Sequence, residues 1–553
     1  MISQCLRRVA AVALATNIAL VMPGSLFAGD GRKGGGFVDA AATIQTTTPI
    51  KHVIVIFQEN VSFDHYFATY PHATNPQGEP PFQAKGETPR VNNLLSGGLL
   101  TENPNSTQPF RMDTGLLSVT CDQNHSYTPE QAALDHGLMD KFPESTGSGN
   151  SVAFPCNDYG KGNGVVMGYF DGNTVQAFWN YAQHFAMSDN SYGTMFGPSA
   201  VGALNLIAGT TATATLFPTK PNGASASPSG NIANGSLGVT VGPIIGDPRP
   251  AGDECVLTNS QLQTTTMVSI VGKNVGDLLN AKDLTWGWFQ GGFGPTGYST
   301  KGQAICGANH TGLAGNDDVE TVGDYIPHHE PFQYFKSTQN LHHTGPSNPS
   351  LIGTSSDGAN HQYDLSAFWT ALGEDRLPVV TYLKAAAYQD GHPGYSDPID
   401  EQVFVVGVIN AVMNSPYWSD TAIIIAYDDS DGWYDHVLGP VVNQSAVADD
   451  VLAGTNDCGS VNAVGTQGRC GYGPRLPLLV ISPFAKSNYV DHRATDQSSI
   501  LRFIEDNWDL GRIGNDSSDV KAGRLNGMFD FNGQTSRLIL DPASGVVLTK
   551  QPE

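Results

Sequence analysis

A chain of 553 residues is long enough for one large domain with insertions, or for two or three average domains around sizeable cores. Its 52 acidic residues against 28 basic ones leave a formal charge of −24 at pH 7. That balance excludes nucleic acid or an anionic membrane as a partner for the surface as a whole, and it requires any anionic substrate to meet a locally positive site.

At the N-terminus, Arg7 and Arg8 precede an apolar run from Val9 to Val21, and Ala28 ends a small-residue region, a pattern that predicts a secretory signal over residues 1–28. A twin-arginine signal is the alternative, although the flanking pattern is missing. No later apolar run approaches membrane-spanning length, so the sequence predicts an exported protein, periplasmic or secreted, without a transmembrane segment. Cys5 falls in the signal. The remaining Cys121, Cys156, Cys255, Cys306, Cys458 and Cys470 are even in number, which suits an oxidising compartment, and none has the close spacing of a zinc site. Pairing of neighbours in chain order is the expected connectivity. Residues 29–49 begin with a glycine-rich stretch and read as a flexible lead-in to a domain over 50–553.

The domain opens with Val53 to Phe57, an unbroken β-branched run suited to a strand buried on both faces. Glu59 and Asn60 come directly after it. An acid and an amide at the carboxyl end of a parallel strand are candidate ligands, and two hard oxygen donors favour a divalent cation of the Mg, Ca or Mn class. The same pair could instead cap a helix beginning near Ser62. Pro71 to Thr120 is irregular, and Thr128 with Gln131 then forms a capping-box pattern that predicts a helix from about Pro129, leaving His125 just ahead of it.

Thr174 to Gly209 reads as two helices broken at Gly197-Pro198, with Ser199 at the N-terminus of the second. Unpaired amides and the helix dipole favour an anion there, so a serine oxygen is well placed to attack a phosphate, or else simply caps the helix. The surrounding G-P-S-A-V-G is not the G-x-S-x-G elbow of a lipase. Residues 210–267 are rich in Thr, Ser, Asn, Gly and Pro and read as a loop-rich insertion. Asp283 to Phe289 predicts a strand. Beyond it His328, His329, His342 and His343 crowd one loop-like region, a pattern for a metal or phosphate site or for a polar surface loop.

Leu377 to Leu383 predicts another strand, with His392 in a turn after it. Thr421 to Ala426 then repeats the opening arrangement, a buried strand ending on Asp428 and Asp429, so two strands deliver hard oxygen ligands to one edge of a parallel sheet. DDSDGWYD is not an EF-hand, because Tyr427 and Leu438 stand at the first and last ligand positions. Leu476 to Ile481 predicts a strand, and a capped helix begins after Asp496.

The ordered motifs HVIVIFQENVSFDHYF, NHSYTPEQAA, FGPSAVGALN, PHHEPFQYF, YQDGHPGYSDP, AYDDSDGWYDHV and RLPLLVISPFAKSNYVDH resemble those of the bacterial phosphoesterase family of phospholipases C and acid phosphatases. The resemblance covers roughly Ile50 to Leu510. It implies an α/β fold similar to alkaline phosphatase, a three-layer α/β/α sandwich with a largely parallel central sheet. It further implies Ser199 as nucleophile, with Glu59, Asn60, Asp428 and Asp429 joining it as ligands of a divalent metal. His125, His328, His329 and His392 are implied to contact the phosphate or leaving group, whereas His342 and His343 fall outside the matched positions.

In the family a threonine nucleophile marks many phospholipases C, so serine here, together with the lack of the long C-terminal extension of the haemolytic members, points to an acid phosphatase acting on phosphomonoesters. A phospholipase C-type phosphodiesterase acting on phospholipids is the alternative. A non-catalytic exported metal-binding protein is the third reading, disfavoured because binding alone needs no nucleophile.

Overall fold

The computed structural model describes residues 39–113, 120–150, 160–233, 241–311, 321–452, 457–459 and 465–550. The signal over 1–28 and the Cys121–Cys156 pairing involve residues outside these. The part of the lead-in that is described is not a free tether. Asp39 caps a 3₁₀ turn over Ala40–Thr43 and lies 3.2 Å from His52 Nε2, while Lys51 Nζ donates to Ile44 O at 2.6 Å, so residues 39–44 are fastened to the first strand.

Twelve of the described strands build the two larger sheets. They are β1 (His52–Gln58), β2 (Ala186–Ser188), β3 (Ala214–Leu216), β4 (Val241–Gly242), β5 (Arg249–Pro250), β6 (Met267–Ile270), β7 (Trp286–Gln290), β8 (Gln362–Asp364), β9 (Val380–Lys384), β10 (Thr421–Tyr427), β11 (Leu478–Ile481) and β12 (Tyr489–Asp491). The main sheet runs β8-β7-β9-β1-β10-β11-β2-β12. Within it only β11 is reversed, pairing antiparallel with both β10 and β2.

Strands β1 and β10, at the centre, are buried at every residue. Because alternate side chains point to opposite faces, full burial means that both faces are covered, and the sheet lies between two layers of helices. The covering helices include α1 (Phe63–Phe67), α2 (Tyr127–Leu134), α3 (Gln176–His184), α4 (Ser199–Ala208), α5 (Leu365–Gly373), α6 (Pro398–Asn414) and α7 (Gln497–Trp508). No described helix is long and apolar enough to cross a membrane.

Three local expectations change. Helix α2 starts at Tyr127 with Ser126 at its cap, and Thr128 Oγ1 bonds outward to Asp449 O at 2.8 Å instead of forming a capping box. Pro129 is tolerated because its missing N–H lies in the first turn. The 210–267 segment is more than loop: β3 to β6 form a four-stranded sheet in the order β4-β3-β6-β5, and its Ile232, Ile244 and Val268 join the main core. Finally, the four-histidine stretch splits. His343 is buried against Phe293 with Nε2 3.0 Å from Asp253, and the exposed His342 pairs with Glu254, so both attach to the region of the Cys255–Cys306 disulfide. Cys458 and Cys470 are also bonded, as chain-order pairing expects.

Ile424, fully buried on β10 between Val55 of β1 and Val480 of β11, reports on this core. Ile424→Ala is expected to lower unfolding stability by about 3 kcal/mol, measured by chemical denaturation. A loss below about 1 kcal/mol would contradict tight packing at the sheet centre.

Candidate active site

The site grows from one registered pair of strands. Gln58 lies opposite Tyr427, so the next residues of each chain segment, Glu59-Asn60 and Asp428-Asp429, leave the sheet side by side. On the other side of β1, strand β9 pairs Val380 to Leu383 with Val53 to Ile56, which brings Lys384 to the same edge.

Asn60 takes a left-handed backbone conformation, φ 53°, which asparagine tolerates better than most residues. Its N–H donates to Asp428 Oδ1 at 3.1 Å and its Nδ2 to Asp431 Oδ1 at 3.3 Å. With the amide nitrogen so engaged, Asn60 Oδ1 is buried without a hydrogen-bond partner. Asp428 repeats the pattern. Oδ1 accepts from Asn60 N and, at 2.8 Å, from Asp429 N, while Oδ2 is buried and unpartnered. Asp429 Oδ1 accepts from Asp431 N at 2.7 Å, leaving Oδ2 to face Ser199.

Ser199 is the first residue of α4, after Gly197 in a positive-φ conformation and Pro198. Pro198 holds the cap position, the Ala200 N–H of the first turn donates to Asp247 Oδ1 at 2.9 Å, and Gly197 N, just ahead of the helix, donates to Glu130 Oε2 at 3.0 Å. The serine side chain is therefore free for another task. Its Oγ donates to Glu59 Oε2 at 3.1 Å and stands 3.4 Å from Asp429 Oδ2.

The histidines surround this centre at different distances. His329 Nδ1 is 3.2 Å from Glu59 Oε1 and 3.9 Å from Asp390 Oδ2. His328 stands one step out, its ring 4.4 Å from that of His329 and its Nε2 3.8 Å from Asp247. On the other side His125 Nδ1 is 2.9 Å from Gln123 O and 3.3 Å from Asp431 Oδ1, and the His125 and His392 rings meet edge to face at 6.0 Å. Two groups bring their ligand atoms within 4.8 Å of one another: Glu59 with His329 and Asp390, and Asp122 with His125, His392 and Asp431.

Burial and crowding set the charges. Burial, reinforced by Asp428, pushes Glu59 well above the ordinary carboxyl range, and Asp429 is raised in the same way. Burial raises Glu130 to about 7, Asp390 to about 8 and Asp431 to about 8. Burial opposes the charge of Lys384, yet Glu59, Asp428 and Asp390 together hold it above its usual value, and its Nζ pairs directly with Glu59 Oε1.

The histidines that the resemblance sets around the phosphate divide in charge. Burial works against His125 too, but Asp429, Asp122 and Asp431 raise it well above 6.5. Burial, helped by the positive charges of Lys384 and His392, drives His329 well below 6.5, and His392 is lowered by burial as well.

So many buried carboxyl groups around one serine are poorly balanced by Lys384 and His125 alone. A hard divalent cation fits the donors present, because the two unpartnered oxygens, Asn60 Oδ1 and Asp428 Oδ2, adjoin carboxylates already trained on Ser199. Lys384, Asp247, Glu130, Asp390 and Asp431 were not singled out in the sequence. A lysine closing the otherwise apolar run VTYLK was the readable sign of the first. The insertion acid Asp247 gave none.

The model of the Phosphoesterase family matches residues 50–511. A non-hemolytic phospholipase C of Pseudomonas aeruginosa is 23% identical over 477 residues, spanning 82% of this chain and 53% of that protein. Phospholipase C B of Mycobacterium tuberculosis is 23% identical over 472 residues, 83% of this chain and 73% of its own. The chain thus spans about half the length of the first of these relatives. Among solved structures, an alkaline phosphatase superfamily protein from Vibrio parahaemolyticus aligns with 68% of this chain and 69% of its own at 11% identity, with a TM-score of 0.27.

One glycine makes the site's tolerance measurable. A Cβ on Gly202, in α4, would lie 2.1 Å from Asp428 O, a contact with backbone that no side-chain motion relieves. Gly202→Ala is expected to keep the fold but displace Asp428, with divalent-metal content reduced and a loss of turnover on the order of 100-fold. Wild-type metal content and rate in this variant would show that α4 does not set the position of Asp428.

Proposed function

The chain belongs to the Phosphoesterase family, and from that premise we propose that it hydrolyses phosphoric esters, phosphomonoesters by preference, through attack by Ser199 Oγ. The observation that carries the reading is the serine hydroxyl at a helix N-terminus, hydrogen-bonded to Glu59 and beside Asp429 instead of capping its own helix. Pro198 holds the cap position and the Ala200 N–H goes to Asp247, so the Ser199 hydroxyl serves no helix amide.

Glu59, Asn60, Asp428 and Asp429 are the residues that would hold a divalent cation. When bound, such an ion lowers the pKa of a neighbouring hydroxyl and withdraws charge from a phosphoryl oxygen. The protein's own groups account for the rest. Ser199 Oγ passes its proton to Glu59 Oε2, which accepts its hydrogen bond, and forms a bond to phosphorus as the bond to the leaving alcohol breaks. The cationic His125 supplies a hydrogen bond to the transferring group and a proton to the departing oxygen. His329, held neutral against Glu59, orients that carboxylate. Water then attacks phosphorus opposite Ser199, which leaves as its hydroxyl and frees inorganic phosphate.

The relatives named as phospholipases C favour the second reading, a phosphodiesterase acting on phospholipids. The serine nucleophile supports the monoesterase. The disulfides Cys255–Cys306 and Cys458–Cys470 support an exported protein, as the basic and apolar start of the sequence does.

Rates on p-nitrophenyl phosphate and on phosphatidylcholine, with metal content determined on the same sample, separate the readings. Faster hydrolysis of the monoester is expected, and exclusive hydrolysis of the phospholipid would overturn the preference. Ser199→Ala should lower the rate by about 1,000-fold or more without loss of folding. Asp428→Asn should lose metal and activity together, and a variant active without metal would remove the cation from the mechanism.

The pH profile is set by the histidine that is raised. His125 stays charged below its elevated value and is lost only as pH rises through it, so the alkaline limb of kcat/KM should lie above pH 6.5, the ordinary histidine value. Protonation of the carboxylates gives the acid limb. His125→Ala should remove the parent's alkaline limb, whereas a variant with an unchanged profile would deny His125 this role.

A further inference from the structure

Arg249 opens β5 in the insertion, two residues after Asp247, and is fixed by its N–H donating to Thr266 O at 2.8 Å. Its guanidinium Nε and Nη1 are shut off from water and have no hydrogen-bond partner. The nearby acid is already engaged: Asp247 Oδ1 accepts from Ala200 N at 2.9 Å, and its Oδ2 faces His328 Nε2 at 3.8 Å. The arginine's charge is felt at Asp247 and at His329, which itself lies 3.2 Å from Glu59. Tyr395, the ring stacked on His392 at 4.3 Å, is among the groups that act on Arg249. Arg249 is placed near the N-terminal end of α4 by the chain itself: Asp247, two residues earlier, accepts the N–H of Ala200 next to Ser199, and β5 packs against the turn Pro327–His329 that carries His328 and His329. Buried donors without acceptors are costly, and a planar guanidinium fork is matched by two oxygens of one phosphoryl group.

We propose that Arg249 binds non-bridging oxygens of the substrate phosphoryl group and makes the site favour phosphomonoester dianions over phosphodiester monoanions. The inference rests on the Ser199-centred hydrolase reading. A monoester above its second ionisation, near pH 6, carries close to two negative charges on three terminal oxygens. A diester offers one charge on two. A fork that takes two oxygens leaves the monoester a third for the other donors and leaves the diester none, so removing the fork harms the monoester more.

The test measures kcat/KM for p-nitrophenyl phosphate and for bis(p-nitrophenyl) phosphate in the parent and in Arg249→Gln and Arg249→Lys. In parallel, inorganic phosphate is titrated calorimetrically into metal-loaded Ser199→Ala with and without Arg249→Gln. Arg249→Gln is expected to lower the monoester value by roughly 30-fold, the diester value by less than about 3-fold, and to weaken phosphate binding by about 10-fold or more. Equal losses on both esters, or an unchanged phosphate affinity, overturn the proposal. Should the glutamine variant fail to fold, Arg249→Lys decides: it keeps the charge but loses the fork, and without a selective loss on the monoester the proposal falls. A parent that hydrolyses neither ester overturns the hydrolase reading instead, and the phosphate titration still tests Arg249.

Discussion

Everything at the candidate site depends on the in-register parallel pairing of β1 with β10. Seven consecutive pairs, from His52 with Thr421 to Gln58 with Tyr427, leave no freedom in where Glu59-Asn60 and Asp428-Asp429 emerge. A slip of one residue would turn every side chain of one strand to the opposite face and bury the wrong half of two largely apolar runs. The hydrophobic core thereby fixes the geometry of the most polar part of the molecule. The price of that arrangement is a cluster of carboxyl groups held where water cannot screen them.

The protein manages this cluster with cations drawn from other elements. Lys384 arrives from β9, the strand on the other side of β1, and pairs with Glu59. His125 arrives from the loop before α2 and lies against Asp431. A chain with 52 acidic residues keeps these positive groups among the buried carboxyl groups of the candidate site. The split between a charged His125 and a neutral His329 has the same origin. The first faces carboxylates, and the second is buried deeper and shares its surroundings with Lys384 and His392.

Asp247 shows how an insertion reaches the candidate site. The segment after α4 returns to the helix it has just left, where Asp247 accepts the Ala200 N–H beside Ser199. Packing of Ile232, Ile244 and Val268 into the main core anchors that return. A segment poor in hydrophobic pattern thus becomes a rigid wall through a few well-placed aliphatic residues.

By itself the sequence determined the elements whose pattern is local. The β-branched runs at Val53 and Thr421, the break at Gly197-Pro198 and the capped helix after Asp496 were legible because strand burial, helix breaking and capping are decided within a few residues. It also placed acids directly after two buried strands, and the parallel edge followed from that. Only the tertiary structure decided which distant groups meet there. Lys384 reaches Glu59 from 325 positions away, Asp247 returns to α4, and His343 leaves its neighbours in the chain to pair with Asp253 while His329 stays beside Glu59. The start of α2 shifted for a related reason: Thr128, a good cap in isolation, finds Asp449 321 positions away, and the hydrogen bond it makes there competes with the local one. Local propensity fixes where a strand ends, but the charge state and the partners of the acids at its end depend on burial, which is a property of the whole fold.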